Sequence, residues 1–231
     1  PQEVKKNISA LFFDTMGIFW TMKFPNTRQE DLLNEWGLQP EGLPIEIYTP
    51  KGFYKKYKDA GIPSDHSFTI KTSELTPSDW ASVFEAKLND PIGIIIERMV
   101  SELQEKNQPY DIADIINLIE KDEKSKKEDK DAVINRFLAA SKWGLFEKYG
   151  TEIDELIKPG GVTVLDISAY TEISGSWSIK ALVIALVSRK LLLERIEQRK
   201  KEELSSMESS GKFFVEEKEL ERPMVWLFLD E

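Results

Sequence analysis

An α/β fold built on a mainly parallel sheet is predicted by three stretches of the 231-residue chain. Val162-Thr163-Val164-Leu165-Asp166 is apolar, β-branched and launched from a Pro159-Gly160-Gly161 turn, as a short buried strand is. From about Trp177 to Leu204, Ile179, Leu182, Val183, Leu186 and Val187 recur at helical spacing, with Ala181, Ile184 and Ala185 on the opposite face. That first half is apolar nearly all round and is expected to be buried between layers, whereas Glu194 to Glu203 is a charged, solvated end. The chain then finishes with Met224-Val225-Trp226-Leu227-Phe228-Leu229-Asp230-Glu231, an apolar run closed by two acids. Strand, helix and strand together predict one right-handed crossover of a parallel sheet.

Taken from the start, Ile8-Ser9-Ala10-Leu11-Phe12-Phe13-Asp14 reads as another buried strand with Asp14 at its carboxyl end. Thr15 to Asn26 places a glycine turn among aromatics and predicts an ordered loop. Either it packs as a hydrophobic plug or it contacts a nucleotide or a second subunit. Thr27 to Trp36 predicts a short amphipathic helix with Leu32, Leu33 and Trp36 on one side, ended by Gly37. Pro44 to Thr49 alternates like a strand and leads into the most basic stretch, whose Lys51, Lys55, Lys56 and Lys58 are interleaved with Phe53, Tyr54 and Tyr57. Lysines meet phosphates and rings stack on bases, so this stretch, read as a loop, is the local candidate for nucleic-acid contact. The competing reading is solvated surface. His66 to Ile70 predicts one more short strand, and the lone His66 is structural.

From Thr76 the period changes from two to 3.6. Pro77-Ser78-Asp79-Trp80 is a capped helix start. Helices follow from Pro91 to about Lys106 with Ile94, Ile95, Met99 and Leu103, and from Asp111 to Lys121 with Ile112, Ile115, Ile116 and Ile119. A last one runs from about Asp129 to Tyr149 with Val133, Ile134, Phe137, Leu138 and Leu145, beyond the charged loop Lys121 to Lys130. Residues 76–158 therefore read as a helical subdomain inserted into an α/β core formed by 1–75 and 159–231. Trp143-Gly144-Leu145-Phe146 is expected to pack the insert back on that core. Ser174-Gly175-Ser176 is expected to cap the long helix, the alternative being backbone amides placed near an anion, and Ser205 to Lys212 is expected to be a mobile loop or hairpin tip.

In open α/β sheets ligands gather at the carboxyl ends of the strands. Two adjacent acids there repel unless a cation or a polarised water shares the site. Nucleoside triphosphatases have that requirement, so Asp230-Glu231 looks like a Walker B pair, Asp230 holding hydrated Mg²⁺ and Glu231 polarising the attacking water.

Gly161 to Ser168, Ile179 to Arg195 and Pro223 to Glu231, together with Ile8 to Asp14, resemble the HerA–FtsK class of DNA-translocating P-loop ATPases, specifically its archaeal HerA-type branch. The resemblance covers roughly the first fifty and last seventy residues. It implies a RecA-like P-loop NTPase core, incomplete, with Asp14 and Asp166 as cofactor-binding residues. It further implies ATP and Mg²⁺ as cofactors, a homo-hexameric ring, double-stranded DNA as the track and a nuclease partner for end processing. One departure is clear: no Gly-x-x-x-x-Gly-Lys-Ser/Thr occurs, and in the family that loop lies just upstream of where Pro1 stands. The expectation is a piece of a larger ATPase that hydrolyses ATP poorly alone.

Composition sets further bounds. With no Cys and one His, disulfides and a Cys/His zinc site are excluded, and a cytoplasmic protein is expected. No apolar run reaches membrane-spanning length. A net charge of −10 argues against binding nucleic acid by overall charge, though a few basic loops facing a ring channel would suffice. Two other functions fit the same residues. One is a non-catalytic interaction module with an ATPase-like fold, and the other a metal-dependent nuclease using Asp14, Asp166, Asp230 and Glu231.

Overall fold

The computed structural model describes residues 7–173, 176–209 and 223–229. Its first strand is β1 (Ile8–Asp14), whose Leu11 and Phe13 are wholly buried. A loop with a 3-10 turn at Phe19–Lys23 and the short helix α1 (Glu30–Glu35) lead to β2 (Ile45–Pro50) and helix α2 (Lys51–Asp59). Two strands follow, β3 (His66–Phe68) and β4 (Ile70–Lys71). Helices α3 (Pro77–Val83), α4 (Pro91–Glu105), α5 (Ile112–Glu120) and α6 (Lys127–Ser141) come next. After them stand the two-residue β5 (Phe146–Glu147) and α7 (Ile153–Leu156). The chain returns through β6 (Val162–Asp166), the long helix α8 (Ser176–Ser209) and β7 (Met224–Leu229).

Five strands form one sheet in the order β3-β2-β6-β1-β7, every neighbouring pair parallel. The fold is thus α/β with a parallel sheet and inserted helices, consistent with an incomplete RecA-like core. β6 and β7 lie on either side of β1, so the crossover through α8 passes one strand rather than joining neighbours. β2 sits between β3 and β6 and is buried on both faces, not half-buried as its alternation predicts. Position in the sheet overrides the local pattern there.

The helical segment shares its interior with the sheet. One cluster runs from Leu11 and Phe13 through Trp80, Ile96, Val100, Ile115 and Phe137 to Val183 and Val187. Trp80 anchors it, stacking on Phe84 and meeting Phe137 at 5.0 Å between ring centroids. Its helix starts with a capping box in which Thr76 and Asp79 exchange hydrogen bonds, and the Asp79 carboxylate also receives Arg189 from α8 at 2.9 Å. The insert is stitched back at its far end as well. β4 pairs with β5, the Gly52 N–H donates to the Gly144 carbonyl at 3.0 Å, and the Tyr170 hydroxyl donates to the Trp143 carbonyl. Gly144 has φ +60°, and a Cβ there would stand 2.3 Å from Gly52 Cα, so this close approach requires glycine on both sides.

Several local expectations are corrected. Lys51 to Lys58 is a helix, not a loop. Lys51, Lys55 and Lys58 follow each other at helical spacing, and Phe53, Tyr54 and Tyr57 take the inner side. The last long helix of the insert ends at Ser141, where Trp143-Gly144 turns the chain into β5. Ile94 and Leu138 face solvent, the core side of α4 being Ile95, Ile96, Met99 and Val100. Leu32 and Trp36 of the α1 region are exposed rather than packed. His66 to Ile70 divides into two strands that serve different sheets. α8 buries one face, Ile179, Leu182, Val183, Leu186, Val187 and Leu191, while Ala181 and Ala185 are exposed. Its helical course reaches Ser209 through the predicted tip; 174–175 and 210–212 lie outside the described residues.

Candidate functional site at the carboxyl edge of the sheet

β1 and β6 end together. Asp14 and Asp166 are register partners across the parallel ladder, 0 % and 1 % exposed, although 152 positions separate them in sequence. Two carboxylates side by side in the interior repel each other unless donors or a cation compensate them.

The compensation at Asp14 is local. Its Oδ1 accepts the backbone N–H groups of Met16 (3.2 Å), Gly17 (2.6 Å) and Ile18 (3.2 Å), and its Oδ2 accepts that of Phe19 (2.8 Å). Four amides therefore converge on one carboxylate and wind the following loop around it. Gly17 makes the turn possible, because φ is +74° and a Cβ would lie 2.5 Å from Ser168 Oγ. The Trp20 indole N–H closes the loop by donating to the Gly17 carbonyl at 2.8 Å, and Phe19, Trp20 and Met22 pack on Ile45, Ile47 and Val164. Met16, Ile18 and Phe24 remain exposed, so the loop is ordered and only partly a plug.

Asp166 is held differently. Its Oδ1 accepts the Ser168 N–H at 2.9 Å and the Ser168 hydroxyl at 2.6 Å, and Tyr57 of α2 lies 3.3 Å from that hydroxyl. Burial pushes the Asp166 carboxyl up to about 6, the neighbouring Asp14 adding to the rise, while Ser168 and Lys180 oppose it. Lys180 comes from the first turns of α8 and is 6 % exposed. Its ammonium donates to the Thr15 carbonyl at 2.9 Å and to Thr171 Oγ1 at 2.7 Å. Burial draws its pKa below the usual lysine value, against the pull of Asp166 and Asp14. The site is thus a buried two-acid, one-base cluster joining β1, β6, α8 and the loop after β1.

Of the residues singled out in the sequence, Asp14 and Asp166 are brought together and Asp230 and Glu231 lie outside the described residues. The described part of β7 ends with Leu229 in register with Phe13, one position short of the level of Asp14. Lys51 is ion-paired with Glu147. Lys55, Lys56 and Lys58 are exposed on α2, Lys58 standing 5.5 Å over the Tyr54 ring. The interleaved rings do not form a stacking platform. Phe53 meets Tyr170 edge-on, the Tyr54 hydroxyl donates to the Asp65 carbonyl, and Tyr57 reaches Ser168. Lys180 escaped the sequence reading although it carried a signal: it is the one charged residue in the apolar run from Trp177 to Ser188.

The described residues do not by themselves fit a magnesium nucleotide. The amides of Met16 to Phe19, which converge at this edge, are already taken by Asp14, and Asp166 is turned to Ser168. Among the described residues no helix is long and apolar enough to cross a membrane. No protein-family model matches the chain, and no curated protein matches it either.

Proposed function

We infer that this chain is part of the core of an ATP-driven DNA translocase of HerA-like type, working as a cytoplasmic homo-hexameric ring on double-stranded DNA beside a nuclease partner. The observation that carries the reading is the parallel arrangement of β6, β1 and β7. It aligns Asp14 with Asp166 at one carboxyl edge and runs β7, the strand that precedes Asp230-Glu231 in sequence, in the same direction. ATP with Mg²⁺ supplies the phosphoanhydride whose cleavage drives movement. In this reading Asp230 would hold the hydrated ion and Glu231 would polarise the attacking water, with the phosphate-cradling loop supplied from outside the 231 residues. Asp14 and Asp166 act indirectly: Asp14 fixes the Met16 to Phe19 loop, and Lys180 ties that loop to α8. Lys55, Lys56 and Lys58 supply phosphate contacts from α2, so the acidic overall charge does not oppose DNA locally.

The test is ATP hydrolysis by the natural gene product, whatever its length, with and without duplex DNA and beside the 231-residue chain. Turnover that rises with DNA and is lost from the 231-residue chain is expected. Glu231→Gln in the natural product should keep nucleotide binding and abolish turnover. A natural product that neither binds nor hydrolyses Mg-ATP overturns the reading. A non-catalytic interaction module then takes its place, a function favoured by one observation: the amides that would greet an anion are occupied by the chain's own Asp14.

A further inference from the structure

The helical insert carries a second polar concavity, away from the Asp14–Asp166 edge. A hollow of about 470 Å³ opens between the end of α4 and α5, within the size range of small-molecule sites. Lys106, Lys121 and Lys148 surround it, while Leu103, Pro109 and Leu118 supply an apolar floor. A second hollow of about 420 Å³ adjoins it, sharing Gln108, Pro109 and Tyr110 and adding Lys71. The two hollows are therefore lined by four lysines and a single acid, Asp114, in a chain whose net charge is −10.

The acid is largely committed elsewhere. Asp114 closes the capping box of α5, its Oδ2 accepting the Asp111 N–H at 3.0 Å, and Lys148 stands 3.8 Å from the same oxygen. Lys106 reaches Glu102 one turn back, an exposed i,i+4 pair that contributes little and yields readily to a better partner. Tyr110 walls both hollows, is 3 % exposed, and its hydroxyl has no hydrogen-bond partner, a donor the chain itself leaves unmet. A hollow lined by lysines and apolar side chains complements a molecule with an anionic head and a flat apolar body.

We propose that this hollow is a binding site for a small organic anion, a phosphate- or carboxylate-bearing molecule held by Lys106, Lys121 and Lys148 with its body on Leu103 and Leu118. The site goes beyond the nucleotide reading and stands without it. The anion head is placed by charge and the body by burial, so affinity requires both.

The experiment is an amide NMR titration of the ¹⁵N-labelled chain with phenyl phosphate and, separately, inorganic phosphate, at constant ionic strength. Phenyl phosphate should give saturable shifts confined to Lys106–Tyr110 and Asn117–Lys121, at least about fivefold tighter than inorganic phosphate. Lys121→Ala and Lys148→Ala, both at exposed side chains, should each weaken binding by about fivefold or more, whereas Lys200→Ala, exposed on α8 and not part of the hollow, leaves it unchanged. Shifts that rise linearly and spread to Lys200 and Lys201 mean general cation screening and overturn the site. Equal affinity for the two probes overturns the apolar floor, and unchanged affinity in both hollow variants overturns the lysine assignment. Saturation only by an acidic peptide would replace the small molecule with a protein partner and overturn the proposal as stated.

Discussion

Replacing Asp166 by Asn isolates the energetics of the buried acid pair. Asparagine keeps an Oδ1 acceptor for the Ser168 N–H and hydroxyl but removes the charge facing Asp14. In the folded chain burial pushes the Asp166 carboxyl up to about 6, against an ordinary value of 3.8. A folded pKa raised above its unfolded value makes a contribution to stability that is full below about pH 4 and lost as pH rises through about 6. A shift of about two units corresponds to about 3 kcal/mol, and the near-complete burial of Asp166 leaves little solvent screening to reduce it. Urea unfolding of the two proteins from pH 4 to pH 7.5 measures the effect as a difference, which cancels the other carboxylates. The stability of the wild-type chain relative to Asp166→Asn should fall by about 2–3 kcal/mol across that range, most steeply near pH 5, between the unfolded and folded values, and should level off once the pH is above about 6.5. The variant should then be the more stable protein at pH 7.5. A difference that stays flat with pH would refute the reasoning, because it would mean that Lys180 and Ser168 cancel the desolvation and the repulsion from Asp14.

Two further substitutions test the surroundings. Lys180→Met removes the one buried cation of the cluster and should cost about 3–5 kcal/mol at pH 7.5, with the cost shrinking below pH 6 as Asp166 takes up a proton; a cost independent of pH would dissociate Lys180 from the acids. Gly144→Ala forces a Cβ against the Gly52 backbone at φ +60° and should lower stability by at least about 2 kcal/mol in the same assay, a loss below about 0.5 kcal/mol being incompatible with the close approach of the insert to α2.

Where the sequence was legible, the signal was local and repeated. Ile8–Asp14, Val162–Asp166 and Met224–Leu229 are strands at the positions their apolar runs indicate, and the helical repeat of Ile179 to Val187 names the buried face of α8. The capping box at Thr76 and Asp79 was equally readable, because both partners lie within one turn. Misreading occurred where neighbours in space outweighed neighbours in sequence. Pro50-Lys51-Gly52 suggests a loop, yet α2 forms because Phe53 packs on Tyr170 and Tyr54 and Tyr57 find partners at Asp65 and Ser168. Lys180 stands alone among apolar residues in the sequence, and only the fold puts the Thr15 carbonyl and two acids around it.

The sequence by itself thus determined the fold class and its main elements, since periodicity of two or 3.6 and the turn chemistry between runs act over a few residues. Only the tertiary structure decided that Asp14 and Asp166 meet, that β1 lies between β6 and β7, and that three lysines of the insert line one hollow. Those juxtapositions join residues many tens of positions apart, and they follow from how whole faces bury against each other rather than from any short pattern along the chain.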